Sequence, residues 1–321
     1  MNKKLILAFP GQGSQYIGMN KIPRSILGDK FVDDTWEQVN DALGYDLKTI
    51  VEAGPADQLT LTQNTQPALV VTSYLFFEIF KQNFPNQKID LVLGHSLGEY
   101  SALLAAGVFN LSDGVKITHL RGKYMQEAVP AGLGSMIAIL KCPKDQVKHA
   151  CEIASTETEK VTIANDNSPE QVVISGHASA CNKAVEWLQA NVKERFRAIP
   201  LQVSAPFHSP LMAPAAEKLK AALNNIKLNS NQFSYVSNVD ASVNLEQTQV
   251  QIIRNKLVSQ VCGTVKWVDC CFKMIEPAHI LEVGPGAVLA GLIKKIHLES
   301  KVFSMDQENC LSLLTSYLVE S

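Results

Sequence analysis

The segment Gly94-His95-Ser96-Leu97-Gly98 constrains the fold of this chain more than any other part of its sequence. It has the pattern G-x-S-x-G. A short apolar run, Ile89–Leu93, precedes it, and a stretch with helical spacing of apolar residues, Glu99–Val108, follows it. A nucleophile elbow, the turn that exposes a catalytic serine in such a pattern, requires this strand-turn-helix setting, and the turn requires glycines because it is tight and strained. The alternative is an ordinary strand-to-helix turn in which Ser96 caps the helix. The pattern and its context together favour a nucleophile.

Apolar runs alternate with helical stretches along the chain, which predicts an α/β fold with a mostly parallel sheet. From residue 134 to about 203 the order changes to strand, helix, strand, strand, helix, strand, which is the ferredoxin-like order. The chain has 321 residues, and single hydrophobic cores stop growing near ~250–300 residues. We therefore predict a large α/β catalytic domain formed by residues 1–131 and 202–321. A ferredoxin-like (βαββαβ) subdomain, residues 132–201, is inserted into it.

The composition is that of an ordinary globular protein, with 46% hydrophobic residues, 19% charged residues and a net charge of -2. This much apolar surface excludes disorder, and the lack of a basic excess argues against a nucleic-acid-binding protein. The most apolar stretch, Ala68–Phe80, contains polar residues and is shorter than the ~20 residues of a membrane span. Lys3-Lys4 and the apolar run after it resemble the start of a signal peptide, but Pro10 ends that run too early. We expect a cytoplasmic protein without a nucleic-acid or membrane partner.

The chain contains seven cysteines. An odd number without Cys-x-x-Cys spacing fits neither a disulfide framework nor a zinc site. We expect reduced and mostly buried thiols that act as packing residues, and no metal.

A serine hydroxyl needs an adjacent base to act as a nucleophile near neutral pH. Among the seven histidines, His208 stands out because it lies in a two-proline loop, Ser204–Pro210, directly after a predicted strand. Loops at strand ends often carry functional sites, but the local sequence leaves open whether His208 is a base or a structural residue. No aspartate stands out as a third triad member. Asp240 is the nearest by position, and a backbone or amide carbonyl can orient an imidazole as well.

The predicted helix Ser112–Val129, with Ser112 as its N-cap, places Arg121 beside its apolar stripe, one turn from Ile117 and Tyr124. A guanidinium there must find an anion or extend to solvent. Two interpretations remain open. One is an ion pair with a local Asp or Glu. The other is a fork that binds a ligand carboxylate through two hydrogen bonds, which Arg does better than Lys.

The loop Phe9–Gln15, with the sequence FPGQGSQ, follows the first predicted strand. It is not a dinucleotide-binding fingerprint, because its glycines are misplaced, and it lacks the Gly-Lys-Ser/Thr of a Walker A loop. It is either a simple turn or a loop that presents backbone N–H groups at the sheet edge. Such donors form half of an oxyanion hole, and the N–H of Leu97, after the nucleophile, forms the other half.

Eight segments in this chain resemble the malonyl-CoA:acyl carrier protein transacylase family, which loads malonyl groups in fatty acid synthesis. They are also similar to acyltransferase domains of polyketide synthases. The segments are FPGQGSQ (9–15), QPAL (66–69), GHSLGEYSAL (94–103), RGKYMQEAVP (121–130), NDNSPEQVVISG (165–176), PFHSPLM (206–212), SNVD (237–240) and EVGPG (282–286). They run in the family's order over nearly the whole length. The resemblance implies an α/β-hydrolase-like core with an inserted ferredoxin-like subdomain, in agreement with the prediction from the residues.

The resemblance implies a catalytic role for three of the matching positions. Ser96 would be the acylated nucleophile and His208 its base. The carbonyl of Gln260 would orient the histidine in place of a triad aspartate. Many relatives have Asn-Pro where this chain has Gly263-Thr264, so the loop beside Gln260 departs from the family pattern.

Substrate-binding roles are implied in the same way. Arg121 would hold the free carboxylate of the malonyl group. The N–H groups of Gln12 and Leu97 would bind the oxyanion, and Gln66 would line the pocket. A ring at Phe207 would fill the space of a C2 methyl group and so favour malonyl over methylmalonyl, although one methyl discriminates by only ~1–3 kcal/mol.

The implied reaction is ping-pong transfer of a malonyl group from malonyl-CoA to the phosphopantetheine thiol of acyl carrier protein, through a malonyl-serine ester. It needs no metal and no cofactor of the enzyme's own, and the family expectation is a monomer. The alternatives are a trans-acting polyketide acyltransferase, a serine thioesterase or esterase, and a catalytically inactive carrier-binding module.

Carrier proteins are acidic, so basic residues are expected at the mouth of the cleft. The candidates are Lys123, Lys266, Lys294 and Lys295. For each of them a solvated helix face is the simpler interpretation.

Overall fold

Two separate sheets organise the computed structural model, which describes residues 4–274, 278–297 and 301–319. The strands are β1 (Lys4–Phe9), β2 (Leu91–Gly94), β3 (Gly134–Leu140), β4 (Val161–Ser168), β5 (Gln171–His177), β6 (Arg197–Pro200), β7 (Tyr235–Val236), β8 (Val243–Asn244), β9 (Ala278–Glu282) and β10 (Val302–Ser304). The larger sheet has the order β10-β9-β1-β2-β7-β8, and its neighbours are parallel except for the β7-β8 hairpin. The predicted α/β fold with a mostly parallel sheet is confirmed.

Helices cover both sheets. In the described ranges they are α1 (Lys21–Leu27), α2 (Asp29–Leu43), α3 (Leu47–Ala53), α4 (Ala56–Thr60), α5 (Thr62–Asn83), α6 (Gly98–Ala105), α7 (Leu111–Gln126), α8 (Lys144–Ala154), α9 (Ala178–Asn191), a 3-10 helix (Pro210–Met212), α10 (Ala213–Asn224), α11 (Val250–Cys262), α12 (Trp267–Cys271), α13 (Val288–Ile296) and α14 (Cys310–Val319). No helix in those ranges has the length and apolar character that crossing a membrane requires. Lys3, in the run that resembles a signal peptide, lies outside the described residues, and from Lys4 onward that run is β1.

Close contact between α5 and α7 places Arg121 in the interior. Pro67 in α5 has no N–H to donate to the carbonyl of Gln63 one turn earlier. The Nδ1 of His119 in α7 donates to that carbonyl instead, at 3.0 Å. Gly122 lets the two helices approach, because a Cβ there would lie 2.5 Å from a main-chain oxygen of α5. Arg121, between these two residues of α7, is therefore held against α5.

The start of α7 differs from the sequence prediction. The N-cap is Asn110, not Ser112, and its side chain accepts a hydrogen bond from the N–H of Asp113 at 2.8 Å. Both residue types are good N-caps, so the local sequence does not decide between them. Asn110 has the extended backbone that a cap requires, whereas Ser112 already lies in the first turn.

The two glycines of the G-x-S-x-G pattern are required by close backbone approach. Strands β1 and β2 are neighbours, with Phe9 opposite Gly94. A Cβ on Gly98 would lie 2.0 Å from the carbonyl oxygen of Phe9, and a Cβ on Gly94 would lie 2.0 Å from the carbonyl oxygen of Gly98. The turn after β2 therefore packs directly on the end of β1, and the loop that follows β1 lies beside it.

The smaller sheet has its own hydrophobic core and the strand order β4-β5-β3-β6, antiparallel throughout. Helices α8 and α9 pack against it, which is the ferredoxin-like arrangement. We propose the division into residues 1–131 with 202–321 and residues 132–201 on this basis. The edge strand β4 joins the larger unit through main-chain hydrogen bonds between Ala164, Asp166 and Val265. The hydroxyl of Thr264 also donates to the carbonyl of Ile163 at 2.6 Å.

Substitution of Gly98 tests the close contact at the turn. Gly98→Ala should lower the free energy of unfolding by about 2 kcal/mol or more, because the added methyl group forces the backbone apart. Gly291→Ala in α13 is the matched control: no atom lies within 4 Å of its Cβ position, so it should stabilise the helix by about 0.5 kcal/mol. Denaturant unfolding followed by circular dichroism measures both, and equal stabilities of the two variants would contradict this interpretation.

Candidate active site

Ser96 lies in the turn between β2 and α6, in a strained left-handed backbone conformation with φ of 52°. The side chain of Asn238, a buried residue just after β7, bridges the turn. Its Oδ1 accepts from the N–H of Ser96 at 2.7 Å, and its Nδ2 donates to the carbonyl of Gly94 at 2.8 Å. One amide therefore holds both sides of the turn that presents the serine.

His208 is buried and contacts the serine directly. Its Nε2 lies 2.7 Å from Oγ of Ser96, and its Nδ1 lies 2.8 Å from the carbonyl oxygen of Gln260. A carbonyl only accepts, so Nδ1 carries the proton and Nε2 of the neutral ring is free to accept the serine proton. Burial, with a further contribution from the charge of Arg121, lowers the pKa of His208 to about 3. The imidazole is therefore neutral at physiological pH.

Asp240, the aspartate that the sequence left open as a third triad member, does not reach the imidazole. Its carboxylate accepts from the N–H of Ser242 at 3.0 Å and forms an ion pair with Lys256 at 3.1 Å. The group that contacts Nδ1 of His208 is the main-chain carbonyl of Gln260. A carbonyl can perform the orienting part of a triad aspartate's role because it fixes the same tautomer.

Arg121 is almost completely buried, with 1% of its surface exposed. Its Nη1 donates to Oε1 of Gln66 at 2.9 Å, and its Nη2 donates to Oε1 of Gln260 at 2.9 Å and to Oγ of Ser96 at 3.3 Å. Its Cζ lies 5.3 Å from the centre of the Tyr100 ring. All of these partners are neutral, and no carboxylate of the described residues forms an ion pair with it. Of the two interpretations left open by the sequence, the local ion pair is therefore excluded for the described part of the chain.

A cavity of about 170 Å³ brings these residues together. All of the substrate-binding candidates and both catalytic candidates line it: Gln12, Gln66, Ser96, Leu97, Arg121, Phe207 and His208. Neither the N–H of Gln12 nor that of Leu97 donates a hydrogen bond to another described residue, so both remain available to an oxyanion. Strands β3, β4 and β5 of the smaller sheet supply part of the opposite wall, including Met136 and Val173.

Known proteins match this chain over nearly its whole length. Residues 7–306 match the family model of the acyl transferase domain. Malonyl CoA-acyl carrier protein transacylase from Haemophilus influenzae is 42% identical over 320 residues, which cover 99% of this chain and 100% of the relative. The protein of the same name from Bacillus subtilis is 39% identical over 320 residues, covering 99% and 98%. The chain belongs to the malonyl-CoA–acyl carrier protein transacylase family. The family predicted from the eight segments is confirmed.

Solved structures of this family share the fold. The malonyl CoA-acyl carrier protein transacylase of Coxiella burnetii superposes with a TM-score of 0.90 at 36% identity, covering 99% of this chain and 98% of that one. A type II polyketide synthase acyl carrier protein in complex with its malonyl-transacylase matches with a TM-score of 0.90 at 36% identity, covering 99% and 100%.

Two residues with structural roles in this transacylase site were not identified from the sequence. Asn238 belongs to the segment SNVD, which gives no sign that its side chain bridges the serine turn. Glu99 is buried, and its Oε2 accepts from the N–H of Asn238 at 3.1 Å and from Nε2 of Gln260 at 2.7 Å. Burial raises the pKa of Glu99 to about 7. The signal in the sequence is that Glu99 is the one charged residue of α6.

The basic residues proposed for carrier docking are distributed over the surface. Lys123, Lys294 and Lys295 are exposed, and Lys266 is half-buried. Lys295 forms an ion pair with Glu170 at 3.7 Å. Among the residues that the structure describes, no cluster of three or more His, Cys, Asp or Glu side chains is placed to hold a metal ion.

The low pKa of His208 predicts how acylation depends on pH. The active form is the neutral imidazole, which becomes protonated only as the pH falls toward 3. The rate of acylation by malonyl-CoA, measured in single turnovers by quench and intact mass, should therefore change little between pH 8 and pH 5. A base with the ordinary histidine pKa near 6.5 would lose about 30-fold at pH 5. Glu99→Gln removes the neighbouring buried carboxyl, whose pKa of about 7 lies in this window, and should give the same profile. A 30-fold loss in both proteins would contradict the prediction.

Proposed function

We propose that this chain transfers the malonyl group of malonyl-CoA to the phosphopantetheine thiol of an acyl carrier protein and so supplies fatty acid synthesis. The observation that carries the proposal is the buried guanidinium of Arg121, which has only neutral partners and lies 3.3 Å from Oγ of Ser96. A buried cation without a counter-ion is costly. A substrate whose free carboxylate lies close to its reacting carbonyl supplies the missing charge, and malonyl thioesters have this chemistry.

Acylation uses the contact between serine and histidine. Nε2 of His208 accepts the proton of the Ser96 hydroxyl as Oγ attacks the carbonyl carbon of the thioester. The oxyanion of the tetrahedral intermediate accepts hydrogen bonds from the N–H groups of Gln12 and Leu97. The C–S bond breaks, coenzyme A leaves as a thiol with the proton from His208, and a malonyl-serine ester remains.

The second half of the reaction reverses these steps with a different thiol. The phosphopantetheine thiol gives its proton to His208, and its sulfur attacks the ester carbonyl of acylated Ser96. The C–O bond breaks, and Oγ of Ser96 recovers the proton from His208. One thioester replaces another, so the exchange is close to balance and needs no nucleotide.

Selectivity for malonyl follows from two groups that line the cavity. Arg121 binds the carboxylate bidentately, which orients the thioester toward Ser96, and an acetyl group leaves this buried cation without a partner. Phe207, also on the cavity wall, occupies the space that a C2 methyl group needs. Binding of the carboxylate therefore contributes to both affinity and orientation.

The proposal includes an acyl carrier protein as partner and a monomer in the cytoplasm. A relative of known structure carries such a partner, a type II polyketide synthase acyl carrier protein. All of the proposed catalytic groups come from one chain, which supports a monomer. All seven cysteines are free, which suits a reducing compartment. The rate of malonyl transfer to a panel of carrier proteins shows whether a fatty acid carrier or a polyketide carrier is the better acceptor.

Replacement of the nucleophile tests the covalent intermediate. Ser96→Ala should abolish formation of a malonylated protein on mixing with malonyl-CoA, as seen by intact mass. Ser101→Ala, the next serine along α6, should label like the wild type. Labelling of the Ser96→Ala variant would assign the nucleophile elsewhere. If the wild-type protein transferred the malonyl group to water as fast as to carrier protein, a thioesterase would be favoured.

Replacement of the buried cation tests substrate selection. Arg121→Ala should lower kcat/KM for malonyl-CoA by ~100-fold or more, because it removes the partner of the carboxylate, and it should raise acetyl transfer relative to malonyl transfer. Lys116→Ala, at an exposed position on the same helix, should leave both unchanged. An equal fall for malonyl-CoA and acetyl-CoA in the Arg121→Ala variant would make Arg121 a structural residue.

A further inference from the structure

Glu99 is a buried carboxylate that the proposed reaction does not use. It lies in the first turn of α6, three residues after Ser96, with 1% of its surface exposed. In the described part of the chain no Lys, Arg or His forms an ion pair with it, and its Oε2 accepts hydrogen bonds from the N–H of Asn238 and from Nε2 of Gln260. A carboxylate is expensive to bury without a cation. Its position is therefore best explained by what these two hydrogen bonds hold in place.

The amide of Gln260 is the group that Glu99 orients. Its Nε2 donates to Oε2 of Glu99 at 2.7 Å and to the carbonyl of Ser96 at 2.9 Å, while its Oε1 accepts from Nη2 of Arg121 at 2.9 Å. The partners determine this orientation, because a guanidinium only donates and a carbonyl only accepts. A flipped amide would place its NH₂ against the guanidinium and its oxygen against two acceptors.

The same amide separates the Glu99 carboxyl from the Arg121 guanidinium. Glu99 and Arg121 contact opposite ends of the Gln260 side chain and do not pair directly. A direct ion pair would occupy the guanidinium with a protein carboxylate. With the amide between them, the guanidinium is held in position while its charge stays available to a ligand. Burial lowers the pKa of Arg121, whereas the Glu99 carboxylate in its ionised form raises it and so favours the charged guanidinium.

We propose that Glu99 is a positioning residue for carboxylate recognition: it holds the oxygen of the Gln260 amide toward Arg121 and thereby holds the guanidinium beside Ser96. The inference rests on the proposed function, because it assigns Arg121 to the malonyl carboxylate. It concerns a residue that does not line the cavity and that acts only through its neighbours.

A merely structural role for Glu99 would act through the nucleophile instead. Its second hydrogen bond, from the N–H of Asn238, reaches the residue that supports Ser96. A substitution of Glu99 that acted through Asn238 would slow acylation of Ser96 by every acyl donor equally. The deciding measurement is therefore the ratio of kcat/KM for malonyl-CoA to kcat/KM for acetyl-CoA, in which an effect on Ser96 alone cancels.

Two variants of Glu99 separate the hydrogen bonds from the bulk of the side chain. Glu99→Met removes the acceptor at similar volume and should lower the malonyl-to-acetyl ratio ~10-fold or more, which is the loss expected for hydrogen bonds to a charged group. In Glu99→Gln the side-chain oxygen still accepts from both donors, so its ratio should stay within about 3-fold of the wild type. Rescue by the glutamine is the result that a positioning role requires.

Changes at Gln260 and Asn238 complete the design. Gln260→Met keeps the main-chain carbonyl that holds His208, should lower the ratio like Glu99→Met, and should add nothing when combined with it. Asn238→Ala should slow malonyl-CoA and acetyl-CoA equally and leave the ratio unchanged. Thermal unfolding and labelling of Ser96 by phenylmethylsulfonyl fluoride, which has no carboxylate, show that each variant is folded with a competent serine.

The possible failures are distinguishable. A wild-type ratio in Glu99→Met and Gln260→Met, or a loss in Glu99→Gln as large as in Glu99→Met, would overturn the positioning role while malonylation of the wild type still supported the proposed function. A wild-type protein that malonyl-CoA does not acylate, or that prefers acetyl-CoA, would overturn the proposed function and this inference with it.

Discussion

A positive charge is buried next to the nucleophile, and several elements of the interior converge on it. Arg121 on α7 meets the amide oxygen of Gln66 from α5 and that of Gln260 from α11. Removing a guanidinium from water costs several kcal/mol even after relaxation, so the surrounding core must offset that cost in the free protein. A carboxylate that enters the cavity offsets part of the free-energy cost of burying the guanidinium. This links the stability of the site to its selectivity.

The nucleophile depends on a second constraint, which is backbone strain. Ser96 and His208 both adopt left-handed conformations, with φ of 52° and 56°. Non-glycine residues hold such conformations only where the surroundings impose them. Here Asn238 bridges the serine turn, and the carbonyl of Gln260 fixes the histidine ring. Both side chains of the catalytic contact, which meet at 2.7 Å, therefore come from strained residues.

The smaller sheet closes the site from the other side, and the loop after Gln260 attaches it to the larger sheet. The hydroxyl of Thr264 donates to the carbonyl of Ile163 on β4. The main-chain hydrogen bonds of Val265 continue the same contact. This loop therefore joins the two sheets, so the walls of the cavity stay together.

Features that depend on near neighbours could be predicted from the amino acids alone. The strand-turn-helix around Ser96 and the βαββαβ order follow from local periodicity, and the segments along the chain identified the family. Only the tertiary structure decided what depends on distant partners: Asp240 is excluded as the orienting group, and Glu99 and Arg121 meet Gln260 across 161 and 139 residues of chain. Hydrogen bonds of this kind depend on angles and distances between separate elements, and residue spacing along a chain does not encode them.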